Sequence, residues 1–77
     1  MSDLTKAFGD RLRELRTKGG MSQEQLADAA GLHRTHISLI ERDQRSVRLE
    51  TLERLAAALR VQPHELLVGI KAGMKRR

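Results

Sequence analysis

The sequence contains no cysteine, tryptophan or tyrosine, and its 77 residues include one phenylalanine and one proline. Without cysteine, neither a disulfide framework nor a thiolate zinc site can form. With one aromatic residue, the plausible core is built from aliphatic residues on helices. No apolar run approaches the roughly 20 residues that a membrane span needs, and no signal-peptide pattern opens the chain. We therefore expect a single small, soluble cytoplasmic domain with no membrane partner.

The charge of the chain is strongly basic. Fifteen Lys and Arg residues against ten Asp and Glu give a net charge of +5 at pH 7. A basic small domain favours a polyanionic partner such as nucleic acid, but a generic basic protein would carry the same charge. Positive and negative residues alternate along most of the chain, which argues against a disordered basic polymer. The exception is a basic tail, residues 70–77, which we expect to fray.

Apolar residues recur at helical spacing in several segments of the chain. Leu4, Phe8, Leu12 and Leu15 define one such face in the first segment. The predicted fold class is all-α, with one domain over residues 1–77 that forms a compact five-helix bundle. The predicted helices cover residues 3–18, 22–30, 33–42, 49–60 and 63–69.

The segment from Met21 to Asp43 organises this prediction. Ser22 and Gln25 have the spacing of a capping box, in which each side chain satisfies a backbone donor at the start of a helix. Gly31 can adopt the positive φ that often follows a helix C-terminus. A second amphipathic run follows it. Two short helices joined by a tight glycine-containing turn predict a helix-turn-helix.

The residues of this motif resemble a known family. SQEQLADAAGL followed by HRTHISLIERD resembles the helix-turn-helix of phage Cro and repressor-type regulators, the XRE family of lambda-repressor-like domains. The resemblance extends to FGDRLRELR, LETLERLAAAL and VQPHELL, and so covers nearly the whole chain. Within the family, LHRTHISLIERDQR is most similar to the controller proteins of restriction–modification systems.

The resemblance implies a transcriptional regulator that binds double-stranded DNA sequence-specifically. It implies a homodimer on a pseudo-palindromic operator, and a controller that regulates its own operon. One alternative is an antitoxin or a phage-type repressor of the same fold. Another is a helix-turn-helix interaction module that binds a protein such as a toxin or RNA polymerase.

In such a motif the third helix enters the major groove and presents its N-terminal turns to base edges. Arg34 is the main candidate, because its guanidinium can bind guanine O6 and N7 bidentately, although it could contact phosphate only. His33 is a more natural helix cap or phosphate contact than a base contact, and Leu39 offers apolar contact alone. The predicted DNA-binding residues on or beside the third helix are His33, Arg34, Thr35, His36, Ser38 and Leu39.

Sequence-independent contacts are expected around this helix. Gln23 begins the second helix, where the positive end of the helix dipole could help its amide to hold a phosphate. Arg42, Arg45 and Arg48 in the following loop could add affinity for the DNA backbone, or could be ordinary solvated surface charges.

Two further features follow from the resemblance or from apolar patterning. Arg16 and Glu41 resemble a family ion pair that joins the first helix to the end of the third, although both could also be surface residues. The expected dimer face contains Val61, Leu66, Leu67 and Ile70. The alternative is that Leu66 and Leu67 simply close the core.

An enzyme or a metal protein is not indicated. His33 and His36 are three residues apart, but no carboxylate or cysteine at suitable spacing completes a ligand set. Ser22 and Ser38 have no base with an orienting partner, and no glycine-rich phosphate loop is present. We expect no catalytic activity, no cofactor and no metal.

Overall fold

The computed structural model describes residues 3–68, which form four α-helices and one short 3₁₀ helix, with no strand among them. The α-helices are α1 (Asp3–Lys18), α2 (Gln23–Ala30), α3 (Arg34–Glu41) and α4 (Leu49–Leu59), and the 3₁₀ helix is Pro63–Leu67. The all-α prediction is confirmed over this part of the chain. None of these helices is long and apolar enough to cross a membrane.

The prediction of a fifth α-helix over residues 63–69 is wrong. The Glu65 amide donates to the Gln62 carbonyl, and the Val68 amide donates to Glu65, so both bonds span three residues instead of four. Val68 then adopts extended backbone, with φ −64° and ψ 133°, which ends the element after five residues. Such short pieces are typical of 3₁₀ geometry. The predicted tail, residues 70–77, lies outside the described residues.

The other helix boundaries differ from the prediction mainly at cap residues. Ser22 lies before α2, and its side chain accepts from the Gln25 amide at 3.0 Å while the Gln25 side chain accepts from the Ser22 amide at 2.8 Å. The predicted capping box is therefore present. His33 and Arg42 are the cap residues of α3, so both lie just outside the helix although the prediction included them. The start of α4 has no side-chain cap, because Arg48, the residue before it, makes no capping hydrogen bond.

The core lies where the helices meet. α3 packs against α1 and α2, and α4 packs against α2 and the 3₁₀ helix. Leu49 has the helical spacing of the apolar residues Leu52, Leu55, Ala56 and Leu59, but 83% of it is exposed at the first position of α4. Leu4, in α1, is also half exposed. The buried apolar residues are Phe8, Leu12, Leu26, Ala27, Ala30, Ile37, Ile40, Leu55, Ala56 and Leu66.

Two contacts of α1 position its neighbours. The Nε of Arg11 donates to the Glu65 carbonyl at 2.8 Å and so attaches the 3₁₀ helix to α1. At Gly9, α1 approaches α3 so closely that a Cβ atom built there would lie 2.4 Å from the Ile40 carbonyl oxygen. The backbone of α3 therefore rests on α1 with no side chain of residue 9 between them.

This close approach predicts a large effect of a small substitution. Gly9→Ala should destabilise the fold by about 1–3 kcal/mol, because two packed helices must separate to admit one methyl group. Urea unfolding followed by circular dichroism would measure the change. Gly19→Ala is the matched control, since its Cβ would meet nothing closer than 3.4 Å and should cost little. Equal stability of the two variants would contradict the prediction.

Candidate nucleic-acid interface

The turn between α2 and α3 sets the direction of α3. Gly31 has φ 71° and ψ 33°, in the left-handed region, and its amide donates to the last carbonyls of α2. The Leu32 amide donates to the Ala27 carbonyl at 2.8 Å, and the Leu32 side chain packs against the core. This arrangement is the αL cap that glycine accommodates without strain. It starts α3 at a fixed angle to α2.

The two sides of α3 have different environments. Ile37 and Ile40 are almost completely buried, whereas the side chains of Arg34 and Thr35 in the first turn are exposed. His33 is exposed too, and its Nδ1 accepts a hydrogen bond from the Thr35 amide at 3.1 Å. His33 is thus a helix cap, as the sequence analysis favoured. The other predicted contacts on this helix, His36, Ser38 and Leu39, are exposed only in part or half-buried.

The far end of α3 carries a buried carboxylate. The Glu41 side chain has no exposed area, and Arg16 binds it bidentately, with Nε at 2.7 Å from Oε2 and Nη2 at 3.0 Å from Oε1. The remaining Arg16 nitrogen, Nη1, donates to the Met21 carbonyl at 2.8 Å. The structure therefore contains the ion pair that the resemblance implies. It joins α1, the start of the helix-turn-helix and the end of α3.

Two further donors that the sequence analysis missed reach the same carboxylate. The Nε2 of Gln23 lies 3.1 Å from Oε1 of Glu41, and the Nε of Arg13 lies 3.4 Å from the same oxygen. Arg13 precedes Arg16 by three residues, so helical spacing places both on one side of α1 and could have suggested this role. No pattern in the sequence links Gln23 to Glu41.

These contacts determine the protonation of the pair. Burial alone would raise the pKa of Glu41, but hydrogen bonds from Arg16 and Gln23, the Arg16 charge and the Arg13 bond together lower that pKa below its ordinary value. The hydrogen bond to Glu41 is the main reason that the pKa of Arg16 is raised. Glu41 is therefore ionised in the folded protein at neutral pH, and its charge is matched.

Gln23 was predicted to bind phosphate, but its amide already has protein partners. While Nε2 donates to Glu41, Oε1 accepts from Nη1 of Arg34 at 3.4 Å. The amide thus connects the buried carboxylate to the exposed first turn of α3. Two of the predicted DNA-binding residues, Gln23 and Arg34, are brought together by this contact.

A basic cleft lies beside α3, between the loop that follows it and the start of α4. It has a volume of about 490 Å³. Burial and then the nearby charge of Arg45 lower the pKa of His36, so the imidazole is neutral at pH 7. Arg42 lies at the opposite end of α3 from Arg34 and is exposed. The residues that line the cleft are His36, Arg45, Ser46, Arg48, Glu50, Thr51 and Arg54.

The predicted dimer residues differ in their exposure to solvent. Leu66 is fully buried in the core, so its assignment to a dimer face is wrong, because a second copy cannot contact a side chain with no exposed area. Val61 is half-buried and packs against the core, whereas Leu67 is 43% exposed. Ile70 lies outside the described residues.

An apolar cleft of about 220 Å³ adjoins Leu67. Its lining includes Leu4 and Leu49, which are themselves well exposed, and Phe8. Val68, which follows Leu67, is 51% exposed. The large exposed apolar side chains of the described residues are therefore Leu4, Leu49, Leu67 and Val68, and we call them the apolar patch.

Comparisons with known proteins agree with this geometry. A family model described as helix-turn-helix matches residues 12–66. The control protein C.BamHI of Bacillus amyloliquefaciens is 51% identical over 61 residues, which are 78% of this chain and 75% of that protein. The control protein C.SmaI of Serratia marcescens is 41% identical over 73 residues, which are 95% of this chain and 84% of that protein. The crystal structure of the restriction-modification controller protein C.AhdI from Aeromonas hydrophila has a TM-score of 0.79 and 50% identity, covering 80% of this chain and 94% of that one. The resemblance to controller proteins is confirmed.

The buried ion pair predicts a strong dependence of stability on Glu41. Glu41→Ala should destabilise the fold by about 3–5 kcal/mol, because the substitution leaves the Arg16 charge without its partner. Thermal unfolding would measure the loss. Glu53→Ala is a suitable control, since Glu53 is exposed on α4. A loss near zero in Glu41→Ala would contradict a stabilising role for the pair.

The same pair predicts how acid affects the protein. Because the pKa of Glu41 is lower in the folded than in the unfolded chain, its contribution is complete above the unfolded value of about 4.5 and disappears as pH falls through the folded value. Glu41→Gln should therefore lose less free energy of unfolding than the wild type between neutral pH and acid. Parallel loss in both proteins would assign the acid sensitivity to other groups.

Proposed function

Because the chain belongs to the helix-turn-helix family of DNA-binding transcription regulators, we propose that it is a restriction–modification controller that regulates its own operon. It binds a pseudo-palindromic operator as a homodimer, in the cytoplasm, where its DNA lies. The observation that carries the proposal is the exposed side of α3 at its first turn. The opposite side of the same helix is buried in the core. The chain is a regulator and not an enzyme.

Arg34 is the side chain best placed to contact bases. It is the first residue of α3 and is exposed, at the end of the helix that such motifs insert into the major groove. A guanidinium that binds guanine O6 and N7 contributes roughly 1–3 kcal/mol of discrimination against other bases. Thr35 is exposed beside it and offers both a hydroxyl and a methyl group. This first turn would supply most of the sequence preference.

The basic cleft is suited to the DNA backbone. Arg45, Arg48 and Arg54 line it, and only Glu50 among the lining residues opposes their charge. The first turn of α4 also borders the cleft, and its amides have no side-chain cap. Uncapped amides and the positive end of a helix dipole favour an anion such as phosphate. These groups would hold the duplex while the first turn of α3 contacts the bases.

The apolar patch is the proposed dimer face. Leu4, Leu49 and Leu67 are large apolar side chains exposed together around one cleft, whereas Leu66 is not available. Burying such a patch against a second copy removes apolar surface from water. A two-fold dimer of this fold presents its third helices to successive major grooves, roughly 34–36 Å apart.

RNA polymerase remains a proposed partner. The regulator would be an activator if it recruits the polymerase and a repressor if it excludes the polymerase from the promoter. Transcription with purified polymerase on a template that carries the selected operator distinguishes these outcomes. An interaction module that binds neither DNA nor RNA polymerase would leave transcription unchanged. A toxin partner or a phage-type repressor role would be supported by a selected operator that lies outside any restriction–modification operon.

Sequence-specific binding is tested by selection of duplexes from a random pool, followed by gel shifts. The wild type should enrich a pseudo-palindrome. Arg34→Ala should weaken binding to the selected duplex by about tenfold or more, with a smaller loss on random DNA, because a base contact carries the preference. An equal loss on both duplexes would make Arg34 a phosphate contact only. Failure of the wild type to enrich any sequence would contradict the proposed function.

The contribution of the basic cleft is tested by a salt titration. The logarithm of the affinity should fall linearly with the logarithm of the salt concentration. Arg45→Ala should make this slope shallower by about 0.9 for each phosphate that the arginine neutralises. Lys6→Ala is the control, because Lys6 is exposed on α1 and does not line the cleft. An unchanged slope in Arg45→Ala would show that Arg45 is a solvated surface charge.

The dimer face is tested by a charge placed in the apolar patch. Leu49→Glu should shift the protein toward monomer in sedimentation equilibrium without unfolding it, because residue 49 is exposed and a carboxylate suits the first position of a helix. Ala57→Glu, at another exposed position of α4, is the control and should leave the assembly unchanged. Unaltered dimerisation of Leu49→Glu would place the interface elsewhere.

A further inference from the structure

The basic cleft beside α3 has one acidic side chain among its lining residues, that of Glu50. The Oε2 of Glu50 lies 3.6 Å from Nη2 of Arg54, one helical turn later on α4. Arg45 and Arg48, the other two arginines of the cleft, form no ion pair within residues 3–68. Of the three guanidinium groups that could hold a phosphate there, one is therefore already paired with a carboxylate of the protein.

Arg54 lies close to the helix-turn-helix. A Cβ atom built on Gly31, in the turn between α2 and α3, would lie 3.9 Å from Nη1 of Arg54. Half of the Arg54 side chain is exposed. A phosphate bound to this guanidinium would therefore lie beside the motif that is proposed to contact the bases.

The start of α4 acts on Glu50 in the same direction as Arg54 does. Glu50 is the second residue of the helix, and the cap residue Arg48 makes no side-chain hydrogen bond to the first turn. The positive end of the helix dipole therefore favours the Glu50 carboxylate. The two groups of α4 that would attract a phosphate, its first turn and the Arg54 guanidinium, already have an anion beside them.

We propose that Glu50 is an internal competitor of the DNA backbone, because its carboxylate binds Arg54 in the free protein and so lowers the affinity of the basic cleft for phosphate. This inference rests on the proposed function, in which the cleft holds the duplex. A phosphate that enters the cleft either displaces Glu50 from Arg54 or stays next to a like charge, and both reduce its net attraction. The cost is the same for every duplex, since a backbone contact carries no information about the bases. Glu50 therefore limits the affinity for all DNA without changing which sequence is preferred.

The same ion pair contributes little to the stability of the fold. The Glu50 side chain is 70% exposed and the Arg54 side chain 50% exposed. Exposed pairs of this kind add little free energy of unfolding, because water and salt screen their attraction. Glu50 can therefore be neutralised without unfolding the domain, and the effect on DNA binding can be measured directly.

The first test measures binding to random duplex DNA over a range of salt concentrations. Glu50→Gln keeps the shape of the side chain and removes its charge. Its affinity should rise by about threefold to tenfold at low salt, the scale of one unit charge acting over a few ångströms near the surface. The plot of the logarithm of affinity against the logarithm of salt concentration should become steeper by about 0.9 for each phosphate that the released Arg54 neutralises. An unchanged affinity and slope would overturn the proposal.

Glu53→Gln is the matched control for this titration. Glu53 is exposed on the same helix and loses the same charge in the variant, but it does not line the cleft. This variant should leave the salt slope unchanged and should raise the affinity less than Glu50→Gln does. Equal effects of the two substitutions would show a response to net charge alone, and the specific role of Glu50 would be rejected.

The second test is a double-mutant cycle between Glu50 and Arg54. Arg54→Gln should weaken binding to random DNA only slightly while Glu50 is present, because Glu50 already occupies that guanidinium. In the Glu50→Gln background the same substitution should weaken binding by about threefold more. Additive effects would show that Glu50 does not act through Arg54 and would contradict the proposal.

The duplex selected by the wild type separates this inference from the proposed function. Glu50→Gln should bind the selected and the random duplex more tightly by the same factor, and a changed ratio would make Glu50 part of base recognition instead. If the wild type selects no sequence, the proposed sequence-specific function fails, and the titrations with random DNA still decide whether Glu50 competes with phosphate. If neither the wild type nor Glu50→Gln binds random DNA at low salt, both the proposed function and the inference are rejected.

Discussion

The buried carboxylate of Glu41 is the interaction on which the rest of the structure depends. Removing a charge from water is costly, and only complete pairing makes the buried position tolerable. Arg16 provides that pairing from α1, and Gln23 adds a donor from α2, so three helices meet at one side chain. A carboxylate of this kind accepts few alternative arrangements of its donors. Because these donors come from α1 and α2, the carboxylate fixes the orientation of α3 relative to both helices.

The same helix serves both the core and the proposed DNA surface, and its two sides are kept separate. Ile37 and Ile40 are buried, and the backbone near Ile40 rests on Gly9 of α1. Arg34 and Thr35, the exposed residues at the start of the helix, are not among the buried core residues. The residue types at these exposed positions are therefore free to suit contact with DNA. The position and angle of α3 are set by buried residues instead.

Sequence patterns predicted the features that depend on local chemistry. The Ser22–Gln25 capping box, the turn at Gly31 and the buried side of α3 each follow from residue type and spacing within one or two helical turns. The patterns failed where long-range packing decides. Leu49 matches an apolar periodicity but lies beyond the surface that α4 buries. Leu66, which the pattern left open between a dimer face and the core, fills the core. The role of Gln23 depends on a residue 18 positions away, which no spacing rule reveals.

The two attachments of α1 have a consequence for the DNA sites that a dimer can use. Arg11 holds the 3₁₀ helix beside the apolar patch, and Arg16 holds the end of α3. These residues are five positions apart on one continuous helix, a rise of about 7.5 Å. α1 therefore connects the proposed dimer face to the helix that carries the proposed DNA surface. A base pair inserted between two half-sites rotates one of them by roughly 35° about the duplex, at about 10–10.5 base pairs per turn. Because both attachments belong to one helix, we expect binding by a dimer with the proposed face to depend on the spacing of the half-sites as well as on their bases.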